Sequence, residues 1–190
     1  DDFVPVFVVG LPRSGTTLVA ERLARHSRVC NRGELNWIAH LAPQLGQGGR
    51  PAPDACARTA ATYVAQVRQD DTDARWFIDK QPLNFLHVDL ILAMFPHARI
   101  VHCRRNARDT ALSIWMQYFA GREFDFACEF ADIAAVAQGC ERLMAAAGRR
   151  HGAAIREVRY EELVQDADRV IGELAAWIGL DAQVAEDARP

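Results

Sequence analysis

Apolar residues along this chain follow two periods, one typical of strands and one typical of helices. Short, mainly apolar runs predict β-strands at residues 4–9, 75–79 and 99–104, and residues 155–158 predict a further short strand. Between them, apolar residues recur about every 3.6 positions. This spacing predicts helices at residues 15–27, from 35 onward, and at 54–69, 85–94, 106–118, 124–148 and 166–179. Strands that alternate with helices predict a three-layer α/β fold, with a parallel sheet of about four or five strands between helices.

Composition and charge limit the class of protein. The chain has 190 residues, 50% hydrophobic and 25% charged, which suits a single α/β domain over residues 1–190. A net charge of −3 argues against a general polyanion binder, so we expect no nucleic-acid partner. No apolar run approaches the ~20 residues that span a bilayer, and the first residues do not resemble a signal peptide. Five cysteines without C-x-x-C spacing favour a reducing cytoplasm and give little support for a zinc site.

The first predicted strand runs into a turn with the residues of a phosphate-binding loop. Residues 10–17 read G-L-P-R-S-G-T-T, and a strand, a glycine-bounded turn and a helix together present backbone N–H groups to an anion. The spacing is that of a P-loop, except that Thr16 replaces the lysine that contacts nucleoside triphosphates. We expect Arg13 to supply the missing charge, in a cradle formed by Gly10, Pro12, Ser14, Gly15, Thr16 and Thr17. The alternative is a plain tight turn.

The segment P-R-S-G-T-T-L resembles the 5′-phosphosulfate loop of sulfotransferases that use 3′-phosphoadenosine 5′-phosphosulfate (PAPS). The resemblance extends from about residue 6 to residue 180, and is greatest to the branch of protein-tyrosine sulfotransferases and their bacterial, repeat-associated relatives. It implies a P-loop-type fold and metal-independent sulfuryl transfer from PAPS to a hydroxyl acceptor, with PAP (3′,5′-ADP) as product. Peptide tyrosine, sugar, lipid and small-alcohol acceptors all stay open. Relatives continue into a loop that closes over the nucleotide, so we expect this chain to lack that segment.

Three residues are expected to be catalytic, Glu34, Lys80 and Arg13. Glu34 precedes a predicted helix, where a carboxylate either complements the helix dipole or, by the resemblance, acts as general base. Lys80 follows the strand at residues 75–79 and resembles the family lysine that stabilises the bridging oxygen as it leaves. We expect Arg13 and the loop N–H groups to stabilise the leaving phosphate together with Lys80. Cytosolic sulfotransferases place a histidine two positions after this lysine. Here Gln81 and Pro82 follow, which favours Glu34 as the base.

A second anion site is predicted where the strand at residues 99–104 meets the next helix. Three arginines cluster at this junction, and guanidinium groups match the geometry of phosphate oxygens; a salt-bridged basic turn is the alternative. The segment resembles the family's 3′-phosphate motif, with Arg105 and Ser113 at the matching positions. The later segment V-R-Y-E-E-L-V places Tyr160 near the nucleotide by the same resemblance, although a tyrosine at a strand end can equally be a packing residue.

Two other classes of protein remain open at this stage. The first is a P-loop kinase that uses ATP, which the strand–turn–helix and the arginine-rich junction support and Thr16 opposes. The second is a nucleotide-binding module or degenerate enzyme, which the early end of the sequence supports.

Overall fold

A computed structural model describes residues 3–45, 51–69 and 73–180. Its centre is a five-stranded sheet in the order β2-β3-β1-β4-β5, and every neighbouring pair is parallel. The α/β prediction with four or five strands is therefore confirmed. The strands are β1 (Val4–Gly10), β2 (Val29–Asn31), β3 (Trp76–Asp79), β4 (Arg99–Arg104) and β5 (Ile155–Arg159).

The central strand, β1, is buried on both faces. Residues 6–9 are each 0% exposed, which is typical of a parallel strand covered by helices on both sides. On one face Phe7, Phe77 and Ile100 pack in one apolar cluster, with residues of the helices Pro53–Val67, Val88–Met94 and Phe130–His151. On the other face Val8, Ile78 and Val101 form a second cluster with residues of the helices Thr16–Leu23 and Ala167–Ile178. The helices are α1 (Thr16–Leu23), α2 (Trp37–Leu41), α3 (Pro53–Val67), α4 (Val88–Met94), α5 (Ala107–Trp115), α6 (Phe130–His151), α7 (Tyr160–Gln165) and α8 (Ala167–Ile178).

The helix predictions are confirmed in position, and the differences lie at the ends. The helix predicted at residues 85–94 begins as a 3-10 turn at Pro82–His87, and the one predicted at 124–148 is a 3-10 turn at Arg122–Cys128 followed by α6. The short elements β2 and α7 were not predicted. The glycine- and proline-rich segment between α2 and α3 lies partly outside the described residues.

None of the helices within the described part of the chain combines the length and the apolarity needed to span a membrane. All five strands point the same way, so their carboxyl ends meet along one edge of the sheet. In open parallel sheets this is the edge at which ligands bind.

Candidate functional site

Each of the five strands delivers one predicted site residue or segment to the same edge of the sheet. In sheet order, β2 is followed by Glu34, β3 by Lys80, β1 by the loop at residues 10–15, β4 by Arg105 and β5 by Tyr160. Neighbouring strands lie about 4.8 Å apart, so side chains far apart in sequence are brought together. The structure thus gathers the predicted residues into one candidate site.

The loop after β1 has a backbone that few residues can adopt. Gly10 and Gly15 have φ angles of 144° and 99°, and Arg13 is the one non-glycine residue with positive φ, 68°, in the described part of the chain. A Cβ at Gly15 would lie 2.7 Å from Cδ2 of Tyr160, and one at Gly10 would overlap the carbonyl oxygen of Cys103. The glycines therefore permit the close approach of β4 and α7. A left-handed arginine is uncommon and is found where function constrains the backbone.

Two of the helices that begin at this edge, α1 and α5, start next to the predicted anion-binding residues, and of these two only α5 has its N-terminus capped by a side chain. Asn106 caps α5 by accepting hydrogen bonds from the backbone N–H groups of Arg108 and Asp109. In addition, the Asn106 N–H donates to Glu161 Oε1 over 2.7 Å, which holds the pKa of Glu161 below its ordinary value. In a capping box the Asn106 N–H would donate to the side chain of Asp109, and here it donates to Glu161 instead.

The N-terminus of α1 has no such side-chain cap. Its N-cap residue is Gly15, which carries no side chain that could accept a hydrogen bond. The first N–H groups of a helix have no partner inside the helix, and they carry the positive end of its dipole. The backbone at Thr16 and Thr17 is therefore suited to bind an anion. Thr16 is buried and Thr17 is exposed; Ser14 is turned inward, its hydroxyl donating to the carbonyl of Leu11 over 2.7 Å.

Arg13, Arg105, Ser113 and Tyr160 form one contact network over this loop. Arg13 Nε donates to Ser113 Oγ over 3.1 Å, and Arg105 Nη1 donates to the Arg13 carbonyl over 3.3 Å. The Arg105 guanidinium also stacks on the Tyr160 ring, 4.6 Å from its centroid. The residues assigned from the resemblance to a 5′-phosphosulfate and to a 3′-phosphate are thus adjacent in space.

Arg13 and Arg105 form no ion pair with a carboxylate in the described part of the chain. Their hydrogen-bond partners are a hydroxyl and a carbonyl oxygen, although the charge of Arg105 contributes to lowering the pKa of the nearby Glu161. Arg104, the preceding residue on β4, behaves differently because it pairs with Glu141 and Glu157 at 3.0 and 3.1 Å. The salt-bridged interpretation of the basic junction therefore applies to Arg104, whereas Arg13 and Arg105 place positive charge beside the N-terminus of α1 without a directly paired carboxylate.

Glu34 and Lys80 form an ion pair on the other side of the loop. Lys80 Nζ donates to Glu34 Oε1 over 2.5 Å, and the side chains are 10% and 51% exposed respectively. The backbone reinforces this pairing, because the Lys80 N–H donates to the Gly33 carbonyl over 2.8 Å. Glu34 lies two residues before Asn36, the N-cap of α2. Its carboxylate thus pairs with a lysine at the sheet edge and stays accessible to a second molecule.

Three buried polar residues behind this ion pair were missed by the sequence interpretation. Asp79 is 1% exposed at the end of β3, where it accepts hydrogen bonds from Tyr63 Oη at 2.9 Å and Asn84 Nδ2 at 3.3 Å. The available signal was a carboxylate that closes an otherwise apolar strand. Tyr63 gave no comparable signal, since a tyrosine on a helix is usually a core residue.

No cluster of three or more metal-ligating side chains occurs among the described residues. The polar groups that line the edge are instead guanidinium groups, hydroxyls, a lysine and a helix N-terminus. All of these favour an anionic ligand. A phosphorylated, sulfated nucleotide has the charge that this set of donors would complement.

Comparison with known proteins agrees with this geometry. A model of the "Sulfotransferase family" matches residues 5–184. An uncharacterized protein of Aquifex aeolicus (strain VF5) is 33% identical over 193 residues, which cover 93% of this chain and 25% of that protein. The chain thus spans about a quarter of that relative.

Solved structures of the same fold include sulfotransferases. The sulfotransferase domain from the Synechococcus PCC 7002 olefin synthase superimposes with a TM-score of 0.70 at 20% identity, covering 94% of this chain and 74% of that one. Mouse sulfotransferase SULT7A1, complexed with PAP, gives a TM-score of 0.56 at 14% identity, covering 95% of this chain and 60% of that one. Because the family model matches nearly the whole chain, the loop at residues 10–15 and the side chains at the same edge of the sheet have a common explanation: the chain belongs to the sulfotransferase family.

Proposed function

We propose that this chain transfers a sulfuryl group from PAPS to a hydroxyl acceptor, without a metal ion. The observation that carries the proposal is the arrangement at the sheet edge, where the loop at residues 10–15 lies between an accessible Glu–Lys pair and two arginines that form no ion pair in the described part of the chain. PAPS supplies an activated sulfuryl group whose departure leaves a phosphate. The residues of this chain have to bind that nucleotide, place the acceptor and move one proton.

Binding of the nucleotide is assigned to the loop and to the junction after β4. The N–H groups at the start of α1, together with Arg13, would hold the 5′-phosphosulfate, because they combine a helix dipole with a guanidinium. Arg105 and Ser113 would hold the 3′-phosphate. Ser113 contacts the Arg13 side chain, and Arg105 contacts the Arg13 carbonyl. Tyr160 supports the Arg105 guanidinium from its other face.

Proton transfer is assigned to Glu34. An acceptor hydroxyl has a high pKa (a tyrosine near ~10), so its proton must leave as the new bond forms. The Glu34 carboxylate is half exposed and can take that proton at an oxygen. Lys80 is held beside it and would stabilise negative charge on the leaving oxygen, which is the electrostatic contribution that transfer reactions depend on.

The test is transfer of labelled sulfate from PAPS to a panel of tyrosine peptides, sugars, lipids and alcohols, and to a bacterial extract, with the labelled product identified. We expect labelled product with wild type and with Glu141→Gln, a matched control because Glu141 is also half exposed and paired with a cation. Glu34→Gln should give little product. Nucleotide binding without transfer to any acceptor would favour a degenerate binding module, and magnesium-dependent ATP turnover would favour a kinase.

A further inference from the structure

A buried carboxylate lies directly behind the Glu34–Lys80 pair. Asp79 is the last residue of β3 and the residue before Lys80, and it is 1% exposed. Two side chains donate hydrogen bonds to it, Tyr63 Oη to Oδ2 over 2.9 Å and Asn84 Nδ2 to Oδ1 over 3.3 Å. The backbone N–H groups of Gln81 and Leu35 also face the carboxylate and oppose the rise in its pKa that burial causes.

The two backbone N–H groups that face Asp79 belong to the residues that directly follow the two members of the ion pair in sequence. Leu35 is the residue after Glu34, and Gln81 is the residue after Lys80. On the N-terminal side of Glu34, the carbonyl of Gly33 accepts a hydrogen bond from the Lys80 N–H over 2.8 Å. The segment that carries Glu34 is therefore tied to the end of β3 on both sides, once through the backbone and once through the Asp79 carboxylate.

The donors that face both Asp79 oxygens suit a carboxylate better than the amide of an asparagine. Burial raises the pKa of Asp79 from 3.8 to about 7, and the hydrogen bonds from Tyr63, Gln81, Leu35 and Asn84 oppose that rise. Burial, together with the charge of Asp79, also raises the pKa of Tyr63 well above its ordinary value, so its hydroxyl keeps the proton that it donates. A carboxylate accepts at both oxygens, whereas an amide would turn an NH₂ group toward at least one of these donors.

We propose that Asp79, held by Tyr63 and Asn84, is a positioning residue that fixes Glu34 opposite Lys80. It acts through the backbone on either side of the pair and does not touch the reacting atoms. This role rests on the proposed function, because it matters for turnover only if Glu34 is the base. A misplacement of about 1 Å in a catalytic group can lower the rate about a hundredfold, so loss of this tie should be visible in kcat.

The test compares Asp79→Asn and Tyr63→Phe with Thr59→Val. Thr59 is a buried hydroxyl residue one turn before Tyr63 on α3, so its substitution controls for loss of a buried hydroxyl from the same helix. We expect kcat to fall at least about tenfold in Asp79→Asn and less in Tyr63→Phe, with the Kd for 3′,5′-ADP unchanged in both. Thr59→Val should keep the wild-type kcat. An unchanged kcat in Asp79→Asn with a lowered melting temperature would show a structural role only, and would overturn the proposal.

A double-mutant cycle with Glu34→Gln separates this proposal from the proposed function. If Asp79 acts through Glu34, Asp79→Asn should cause little further loss of kcat once Glu34 is already glutamine; additive losses would overturn the positioning role. A fully active Glu34→Gln enzyme would instead refute the assigned base. Amide hydrogen exchange gives a readout without turnover. Protection at Leu35 and Gln81 should drop in Asp79→Asn or, where that variant does not fold, in Tyr63→Phe, and unchanged protection would contradict the tie.

Discussion

At the scale of single residues, the structure bears most directly on Glu34. The sequence allowed two interpretations, a helix-capping carboxylate and a general base. The structure places Asn36 at the N-cap of α2 and turns Glu34 toward Lys80, 46 residues away in sequence. A capping role predicts an effect on stability, whereas a base predicts an effect on rate, so one substitution separates them.

Glu34→Gln keeps the shape of the side chain but cannot take a proton. If Glu34 is the base, we expect kcat to fall at least ~100-fold, since a positioned base contributes about 10²–10⁴-fold. The Kd for 3′,5′-ADP should stay at its wild-type value. If the carboxylate acted only as a cap, the substitution would lower stability within the ~0.5–2 kcal/mol of a lost cap and leave kcat intact. Kinetics and a thermal melt on the same preparation decide between these outcomes.

Arg104 and Arg105 form a natural matched pair, because they are adjacent on the chain and differ in their partners. Arg105→Ala should weaken binding of 3′,5′-ADP by about ten- to a hundredfold, the value of one charge-assisted hydrogen bond of roughly 1.5–3 kcal/mol. Binding of 5′-AMP should change little. Arg104→Ala removes a guanidinium that is already paired with Glu141 and Glu157 and should leave both affinities near wild type. Calorimetry that finds equal wild-type affinity for 3′,5′-ADP and 5′-AMP would refute a 3′-phosphate site.

At the scale of elements, the sequence predicted those with a long periodic pattern and missed those that depend on their neighbours. The strands β1, β3 and β4 were predicted because each is mainly a run of apolar residues, whereas β5, also predicted, has only Ile155 and Val158 as apolar residues. The strand β2 has three residues, of which only Val29 is buried, and it exists because β3 offers it backbone partners. The same reasoning applies to the site. The loop at residues 10–17 has a local signature, whereas the tie from Asp79 to Leu35 is formed only when β2 and β3 pair.

The phosphate loop leads to a prediction of its own. Its positive charge comes from Arg13 and the N-terminus of α1, and Thr16 stands where the P-loop lysine would be. We therefore expect PAPS to bind with the same Kd before and after addition of EDTA, as measured by calorimetry. Arg13→Ala should weaken that binding, and an exposed-arginine control, Arg25→Ala, should not. Affinity that disappears on chelation and returns with Mg²⁺ would move the assignment to a kinase.

At the scale of the whole molecule, two buried titratable groups on the sheet respond to pH in opposite directions. His102 on β4 is 6% exposed, and burial lowers its pKa from 6.5 to about 4, with Glu157 and Arg104 as its charged neighbours. Asp79 on β3 has its pKa raised from 3.8 to about 7. Between about pH 4 and pH 7, His102 is protonated to a larger extent in the unfolded chain than in the folded chain. Over the same range, Asp79 is ionised to a larger extent in the unfolded chain than in the folded chain. Stability from His102 is therefore lost as pH falls below 6.5, whereas stability associated with Asp79 is lost as pH rises toward 7.

The two effects oppose each other in wild type and separate in a variant. From pH 7.5 to 4.5, linkage gives a loss of roughly 2–3 kcal/mol through His102 and a gain of similar size through Asp79. His102→Gln removes the first of these. The destabilisation caused by this substitution should therefore be roughly 2–3 kcal/mol smaller at pH 4.5 than at pH 7.5. Urea unfolding of wild type and variant at both pH values measures this difference, with His97→Gln as an exposed histidine control. An equal destabilisation at both pH values would mean that His102 titrates in the folded protein as it does in the unfolded chain.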